Sequence, residues 1–313
     1  MATENIGTQI GSVNAIELDS SISVAAARFK KEGYLVIRQA FSKSDLIELQ
    51  KEVKGNPALE ESSRIKFAGG KPSVKEVANV FGRSQAAQKM IRNSFALKII
   101  EAIVGENLYL FRDAYIEKLP NPKSVFPLHQ DSEFWKVVPE CLVSMWVPLQ
   151  DTSLENGVLH VVPYSHLSRL DHSVKFGKKL RLPKMVNRIL RNGASNSNVV
   201  AKTMSLPQRI VLDFVTFVNS KLIPFLSRYF TSFEKFTEFF VVQDDEQYWA
   251  NAVHPDLKLG DVIVYHSLAL HGSKGNSQNV PRAAYIPTFM GENYTRDGIV
   301  VSNPELGYIS VKG

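Results

Sequence analysis

The sequence predicts a mainly β protein with helices, built as an antiparallel barrel or jelly roll. From about residue 106 onward, β-branched and aromatic runs recur between turn residues, with no helical period between the paired runs. These runs cover residues 107–118, 141–149, 157–162, 259–266 and 282–290. Several short strands separated by turn signals are typical of antiparallel barrels and jelly rolls. The length of 313 residues permits one large domain or two ordinary ones.

Helices are predicted before the first strand of this barrel. Residues 20–54 have a helical pattern, except for a short β-like run after Gly33. Ser42 or Ser44 is the candidate N-cap of the amphipathic helix in this region. Residues 55–75 are rich in Gly, Pro, Ser and charge, and we expect them to form a loop.

The segment 168–250 interrupts the strand pattern and is interpreted as a helical insertion within one domain that spans 1–313. Eight basic residues lie from Arg169 to Arg191, and the stretch 208–240 has a helical pattern that is rich in phenylalanine. We expect a lid over the barrel mouth, in which basic side chains attract an anion and aromatic ones exclude water. The alternatives are a solvated helix packed on the barrel, a separate helical domain, and a dimer or membrane-surface contact.

Composition and charge narrow the class of protein. The chain has 37 basic and 31 acidic side chains, a net charge of +6, which permits an anionic substrate but is too dispersed to indicate nucleic acid. The single cysteine, Cys141, excludes an intrachain disulfide framework and is predicted to be a buried strand thiol with no catalytic role. The sequence shows no secretory signal or membrane span, so we expect a cytoplasmic protein.

The segment PLHQD at residues 127–131 carries the first candidate metal ligands. In extended backbone, side chains two residues apart point to the same side, so His129 and Asp131 are expected to converge. A histidine and a carboxylate are two thirds of the 2-His-1-carboxylate set that binds Fe(II) and leaves coordination positions open. By itself, the His-x-Asp pattern is also typical of a loop histidine beside a solvated aspartate.

A third ligand is expected after the predicted strand 259–266. His271 precedes a glycine at an expected strand end, and His266 is the competing candidate in the same run. Arg282 follows eleven residues after His271. Antiparallel pairing of their two strands would bring the guanidinium to the same barrel mouth, where it can bind a carboxylate with two hydrogen bonds. A structural histidine and a surface arginine are the alternatives.

Together these motifs resemble the phytanoyl-CoA dioxygenase family of Fe(II)/2-oxoglutarate-dependent oxygenases. The resemblance rests on His129-x-Asp131, on His271-Gly-Ser273 and on Arg282, in that order. The run 146–166 is similar to the turn and strand signature of the family. The resemblance implies a double-stranded β-helix, which is a cupin-like jelly roll, with helical N-terminal packing and a helical lid insertion.

The resemblance also implies roles for single residues. The metal ligands of the family fall on the His-x-Asp pair and on His271. Its arginine for the distal carboxylate of 2-oxoglutarate falls on Arg282, and the tryptophan that flanks this cosubstrate falls on Trp146. A lysine that also contacts 2-oxoglutarate falls loosely on Lys75, for which a solvated loop lysine is the alternative.

The implied activity is that of an Fe(II)- and 2-oxoglutarate-dependent dioxygenase. Such an enzyme uses O2, releases succinate and CO2, and oxidises a C–H bond of a small metabolite by hydroxylation, desaturation or oxidative cyclisation. We expect a small-molecule substrate and no nucleic-acid partner. Asp131 argues against a halogenase, and Thr288 stands where nucleic-acid demethylases have a second arginine. The rival class is a non-catalytic, cupin-like metal-binding or regulatory protein.

Overall fold

The chain divides into two compact units in a computed structural model. The first unit joins Met1–Asp171 to Val242–Gly313, and the second is His172–Val241. The structure describes residues 15–17, 21–92, 94–170, 172–173, 241–242, 245–301 and 309–310. Most of the predicted lid insertion therefore lies outside the described residues, and the lid stays a prediction.

The described residues contain seven α-helices and seventeen strands. The helices are α1 (Ile22–Glu32), α2 (Lys43–Gly55), α3 (Pro57–Glu61), α4 (Gln85–Arg92), α5 (Phe95–Val104), α6 (Ser132–Trp135) and α7 (Asp245–Ala250). The strands are β1 (Ala15–Ile16), β2 (Tyr34–Ile37), β3 (Arg64–Ala68), β4 (Lys71–Ala78), β5 (Tyr109–Lys118), β6 (Phe126–His129), β7 (Val137–Val138), β8 (Val143–Pro148), β9 (Leu159–Val161), β10 (His172–Ser173), β11 (Val241–Val242), β12 (Val262–His266), β13 (His271–Ser273), β14 (Arg282–Met290), β15 (Thr295–Arg296), β16 (Ile299–Val300) and β17 (Ile309–Ser310).

Two sheets of the first unit form the jelly roll. The major sheet has the order β1-β2-β12-β8-β14-β5-β4-β3, and β17 also pairs with β5. The minor sheet has the order β6-β13-β9. Strands β7, β15 and β16 form a further small sheet, and β10 pairs with β11. Non-consecutive strands thus become neighbours in both main sheets, as the predicted jelly roll requires.

The major sheet buries apolar side chains on both faces. Its outer face packs against α1, α2, α4 and α5 through a large core that includes Phe29, Leu49 and Tyr285. Its inner face packs against the minor sheet, and a second core between the sheets includes Trp146 and Val161. The helical N-terminal packing predicted from the sequence is therefore present, and the space between the sheets is the interior of the jelly roll.

Several local predictions can be compared with the structure. The Ser42 hydroxyl accepts a hydrogen bond from the Asp45 backbone N–H, so Ser42 is the N-cap of α2. The α1 helix ends at Gly33, whose φ of 81° is a left-handed conformation that glycine adopts without strain. The prediction of a loop over 55–75 is wrong, because this stretch holds α3, β3 and the start of β4. No helix among the described residues is long and apolar enough to span a bilayer.

Candidate active site

Two strands and the start of a helix bring three predicted ligand residues together. His129 ends β6 and His271 begins β13, and these two residues pair directly across the antiparallel ladder. Asp131 is at the N-cap position of α6, two residues after β6 ends. One ligand atom from each of the three side chains lies within 4.8 Å of the others. All three residues are buried, so the cluster lies in the interior of the jelly roll.

Backbone carbonyls hold both imidazoles in the orientation that a metal needs. His129 Nδ1 lies 2.8 Å from the Pro127 carbonyl oxygen, and His271 Nδ1 lies 2.8 Å from the Ala269 carbonyl oxygen. Each Nδ1 therefore carries the proton and donates it, and each Nε2 lone pair faces Asp131. The two Nε2 atoms lie 3.6 Å from the two carboxylate oxygens.

The charge states of these groups also suit a cation. Burial, and then the neighbouring His129, lower the pKa of His271 to about 4, so its imidazole is neutral at physiological pH. Burial by itself would raise the pKa of Asp131, but His271 and His129 have the larger combined effect. The pKa is therefore below its usual value, and the carboxyl stays ionised. Two imidazoles that turn Nε2 toward one point, and one carboxylate, are the ligand set that suits Fe(II).

The route by which Asp131 reaches the cluster differs from the predicted one. Asp131 has the helical angles φ −59° and ψ −34°, so the backbone is not extended across the motif. The chain turns after His129, and this turn brings the carboxylate back under the imidazole. His266, the competing third ligand, lies elsewhere: its ring packs 5.4 Å from that of His166, and its Nδ1 accepts a hydrogen bond from the Leu268 N–H.

Two buried cations lie beside each other on the inner face of the major sheet. Arg282 pairs with Lys118 across β14 and β5, and the two side chains are 3% and 1% exposed. Lys118 Nζ donates to Ser273 Oγ at 2.5 Å, which links this pair to the strand that begins with His271. Within the described part of the chain, neither cation has an acidic partner. Burial and the Arg282 charge hold the pKa of Lys118 well below its usual range.

The Arg282 guanidinium is held in place but has donors to spare. It donates from Nη2 to the Gly157 carbonyl oxygen at 2.8 Å and lies 4.9 Å above the Trp146 ring. Its Nε is buried without a hydrogen-bond partner. A Cβ at Gly157 would come within 2.9 Å of Lys118 Cδ and 2.8 Å of the Lys274 carbonyl oxygen, so this glycine makes room for the lysine stem. An orphaned donor and two unpaired buried charges are the features of a site that an anion completes.

The structure corrects how Arg282 reaches the site. Its strand, β14, pairs with β5 and β8 in the major sheet, whereas the His271 strand pairs with β6 and β9 in the minor sheet. The predicted pairing between the two strands is therefore wrong. Arg282 approaches from the facing sheet, and Lys118 bridges the gap through its hydrogen bond to Ser273.

The structure does not bring Lys75 to this site. Lys75 pairs with Glu117 across β4 and β5, one residue out of phase with Lys118, so the two lysines point to opposite faces of the sheet. Its ammonium forms an ion pair with Glu60 on the helical side. Lys118 occupies the place expected for Lys75. A lysine inside an apolar strand pattern was the only sequence signal for it.

Tyr265 is a second residue that the sequence analysis did not single out. Its buried ring lies 4.5 Å from the His271 ring, on the inner face of β12. It forms part of the wall between the metal ligands and the core between the sheets.

The chain is similar to known proteins over much of its length. The model of the family "Phytanoyl-CoA dioxygenase (PhyH)" matches residues 29–211. Ectoine dioxygenase from Sphingopyxis alaskensis is 25% identical over 160 residues, which are 49% of this chain and 52% of that protein. A phytanoyl-CoA dioxygenase domain-containing protein 1 homolog from Caenorhabditis briggsae is 34% identical over 80 residues, which are 25% of this chain and 28% of that protein. The matches thus span about half of the first relative and about a quarter of the second.

Solved structures share the fold. The epimerase SnoN, in complex with Fe3+, alpha-ketoglutarate and nogalamycin RO, superposes with a TM-score of 0.58 at 18% identity, covering 89% of this chain and 87% of that one. EctD from S. alaskensis with 2-oxoglutarate and 5-hydroxyectoine superposes with a TM-score of 0.55 at 18% identity, covering 88% and 77%. At this identity the likeness shows the jelly-roll fold.

Proposed function

The chain belongs to the phytanoyl-CoA dioxygenase family, and from this premise we propose that it is an Fe(II)- and 2-oxoglutarate-dependent oxygenase of a small molecule. The observation that carries the proposal is the convergence of His129, Asp131 and His271 in the interior, with both Nε2 atoms and the carboxylate turned toward one point. These three side chains would hold the iron and leave its remaining positions to cosubstrate and O2.

When bound, the iron and 2-oxoglutarate together supply the oxidising power that removes hydrogen from a substrate C–H bond, and succinate and CO2 are released. The task of this chain is to position the reactants and keep water out. The carbonyls of Pro127 and Ala269 fix the two imidazoles through Nδ1. They prevent the rings from rotating and keep both Nε2 lone pairs on the metal side.

We propose that Arg282 and Lys118 bind the distal carboxylate of 2-oxoglutarate. The guanidinium provides Nε–H and the N–H groups that do not bind the Gly157 carbonyl, and the Lys118 ammonium provides a second positive charge. Trp146 covers the face of the guanidinium and keeps it away from water. The carboxylate gives the two cations an acidic partner and offsets one of their positive charges, so binding lowers an electrostatic cost in the free protein.

The interior between the sheets supports the reaction by excluding water. The buried apolar cluster between the sheets, which also contains Trp146 and Tyr265, includes Leu159, Val161, Ile263 and Ala284, all at most 5% exposed. A dry wall strengthens each electrostatic contact within it. We propose that the substrate C–H bond enters beside this wall; the reaction outcome can be hydroxylation, desaturation or ring closure.

The test is succinate formation by the purified full chain with Fe(II), 2-oxoglutarate and O2. His129→Ala and Asp131→Ala should each abolish iron-dependent succinate release while far-UV circular dichroism stays unchanged. His266→Ala is the matched control, because it removes a half-buried histidine outside the cluster. Iron and 2-oxoglutarate binding without succinate release, even across a broad panel of metabolites, would favour the non-catalytic alternative.

A further inference from the structure

A third cation, Arg112, lies on the inner face of the major sheet, apart from Arg282 and Lys118. Arg112 and Lys118 lie on the same face of β5, six residues apart, which is about 20 Å in a strand. Register places Arg112 opposite Thr288, Thr288 opposite Ser144, and Ser144 opposite Tyr265. This row, which we call the polar row, therefore crosses the sheet at the level of the metal ligand His271, whose ring Tyr265 contacts.

Arg112 reaches toward the metal ligands from the rim of the site. Its guanidinium carbon lies 5.9 Å from the Trp135 ring centre, and Trp135 belongs to the helix that Asp131 caps. Its side chain is 42% exposed, in contrast to the sealed Arg282. Arg112 thus has access to solvent on one side and to the metal site on the other.

Among the described residues, Arg112 has one acidic side chain within ion-pair distance. Its nearest acidic group is Glu76, at 3.6 Å from Nη2, beyond hydrogen-bond distance. Glu76 is already bound to Lys66 at 2.7 Å. Arg112 donates no hydrogen bond to any residue in the described ranges. One carboxylate therefore serves two cations, and the guanidinium fork is left available.

We propose that Arg112 anchors an anionic group, a carboxylate in the simplest case, of the substrate. This inference rests on the proposed function, because it assigns the substrate class of the same site. The fork of a guanidinium matches the two oxygens of a carboxylate. The Ser144 and Thr288 hydroxyls, 2.9 Å apart, lie next in the polar row and offer further hydrogen bonds to the same substrate. The 2-oxoglutarate carboxylate is held separately, at the far end of β5.

A ligand-binding experiment tests this anchor. The full chain is loaded with Fe(II) and saturating 2-oxoglutarate without O2, so that the Arg282–Lys118 pair is occupied. The probes are 4-fluorobenzoate, 4-fluorophenylacetate and 5-fluoropentanoate, each beside its primary amide, and fluorine NMR gives their dissociation constants. The wild type should bind at least one acid about 10-fold or more tightly than its amide, as expected for a charge-assisted pair.

Three variants make the result specific. Arg112→Gln should reduce the acid-over-amide ratio to near one, and Arg112→Lys should retain part of it. Lys98→Gln, which removes an exposed positive charge on α5, should leave the ratio unchanged. A purely structural role for Arg112 would alter acid and amide binding equally, and this result would overturn the proposal.

Two further outcomes separate this inference from the proposed function. Equal binding of acids and amides by the wild type would refute the anchor, even if calorimetry shows tight binding of 2-oxoglutarate. Absence of 2-oxoglutarate binding to the wild type would instead refute the proposed function. Loss of 2-oxoglutarate binding in Arg112→Gln alone would assign the residue to the cosubstrate or to folding, and would also overturn the anchor.

Discussion

Replacement of Lys118 by methionine should move stability and cosubstrate affinity in opposite directions. Methionine keeps the volume of the lysine stem but removes an ammonium that is 1% exposed and lies beside Arg282. In the free protein this charge has no acidic partner in the described residues, and burial already holds its pKa well below the usual value. Removal of this charge should therefore stabilise the protein in the absence of 2-oxoglutarate.

The expected change in the free energy of unfolding is the sum of two contributions. Replacing buried ionic groups by apolar ones of similar volume stabilises proteins by about 1–4 kcal/mol. The lost hydrogen bond from Lys118 to Ser273 costs about 1 kcal/mol. The net gain is about 0–3 kcal/mol, which raises Tm by a few °C at most in a domain of this size. Removing one partner of a buried charge pair should weaken 2-oxoglutarate binding by about 2 kcal/mol or more, which is about 30-fold.

The assay is thermal unfolding of wild type and variant, with and without 2-oxoglutarate and Mn(II), together with calorimetric titration of 2-oxoglutarate. Lys75→Met is the matched control, since Lys75 lies on the same sheet but faces the helices and pairs with Glu60. This control should change the dissociation constant by less than twofold. The reasoning is refuted if Lys75→Met weakens 2-oxoglutarate binding and Lys118→Met does not, or if Lys118→Met destabilises the free protein.

Four further predictions follow from the same geometry. Arg282→Ala should weaken 2-oxoglutarate binding by about 2–5 kcal/mol, and Arg282→Lys should restore only part of it, because the two-pronged fork is lost; calorimetry measures both. His271→Ala should remove stoichiometric Fe(II) binding, measured anaerobically, whereas retention of the metal would disprove its role. Burial, and then His166, lower the pKa of His266 to about 4, whereas the unfolded chain binds this proton near pH 6.5. The free energy of unfolding should therefore fall as the pH drops from 6.5 to 4. In His266→Phe, urea unfolding should show a smaller fall over this pH range. Cys141→Ser should retain succinate release, because burial raises the pKa of this thiol and makes it a poor nucleophile; loss of turnover in the folded variant would contradict this.

The position of Cys141 shows that the sequence predicts a strand but does not locate its ends. The sequence predicts a buried strand thiol, but the residue is only half-buried and lies two positions before β8 begins at Val143. A strand pattern locates a run well and its ends poorly. The same limit affects residues 55–75, where charged and turn-forming residues predicted a loop but β3 and β4 form an exposed edge hairpin. Every residue of β3 but the last is exposed, so β3 lacks the buried face that marks a core strand.

The sequence by itself determined the strand-rich class, the helices before it and the ordered motifs around His129, Asp131 and His271. These features are periodic or local, and a pattern of side chains along the chain is enough to express them. The family likeness added the expectation of Arg282 and Trp146, which the structure brings together.

Only the tertiary structure decided which distant groups face one another. Lys118 rather than Lys75 joins Arg282, because strand register and the two-residue alternation of a sheet select one face, and a shift of one residue reverses the choice. Likewise, Arg282 and His271 approach each other from opposite sheets and are not neighbours along one ladder. Three strand pairings place Arg112 in the polar row that ends at Tyr265, whose ring contacts His271. Such contacts depend on sheet order and register, which arise from the packing of the whole chain and have no signature in any one segment.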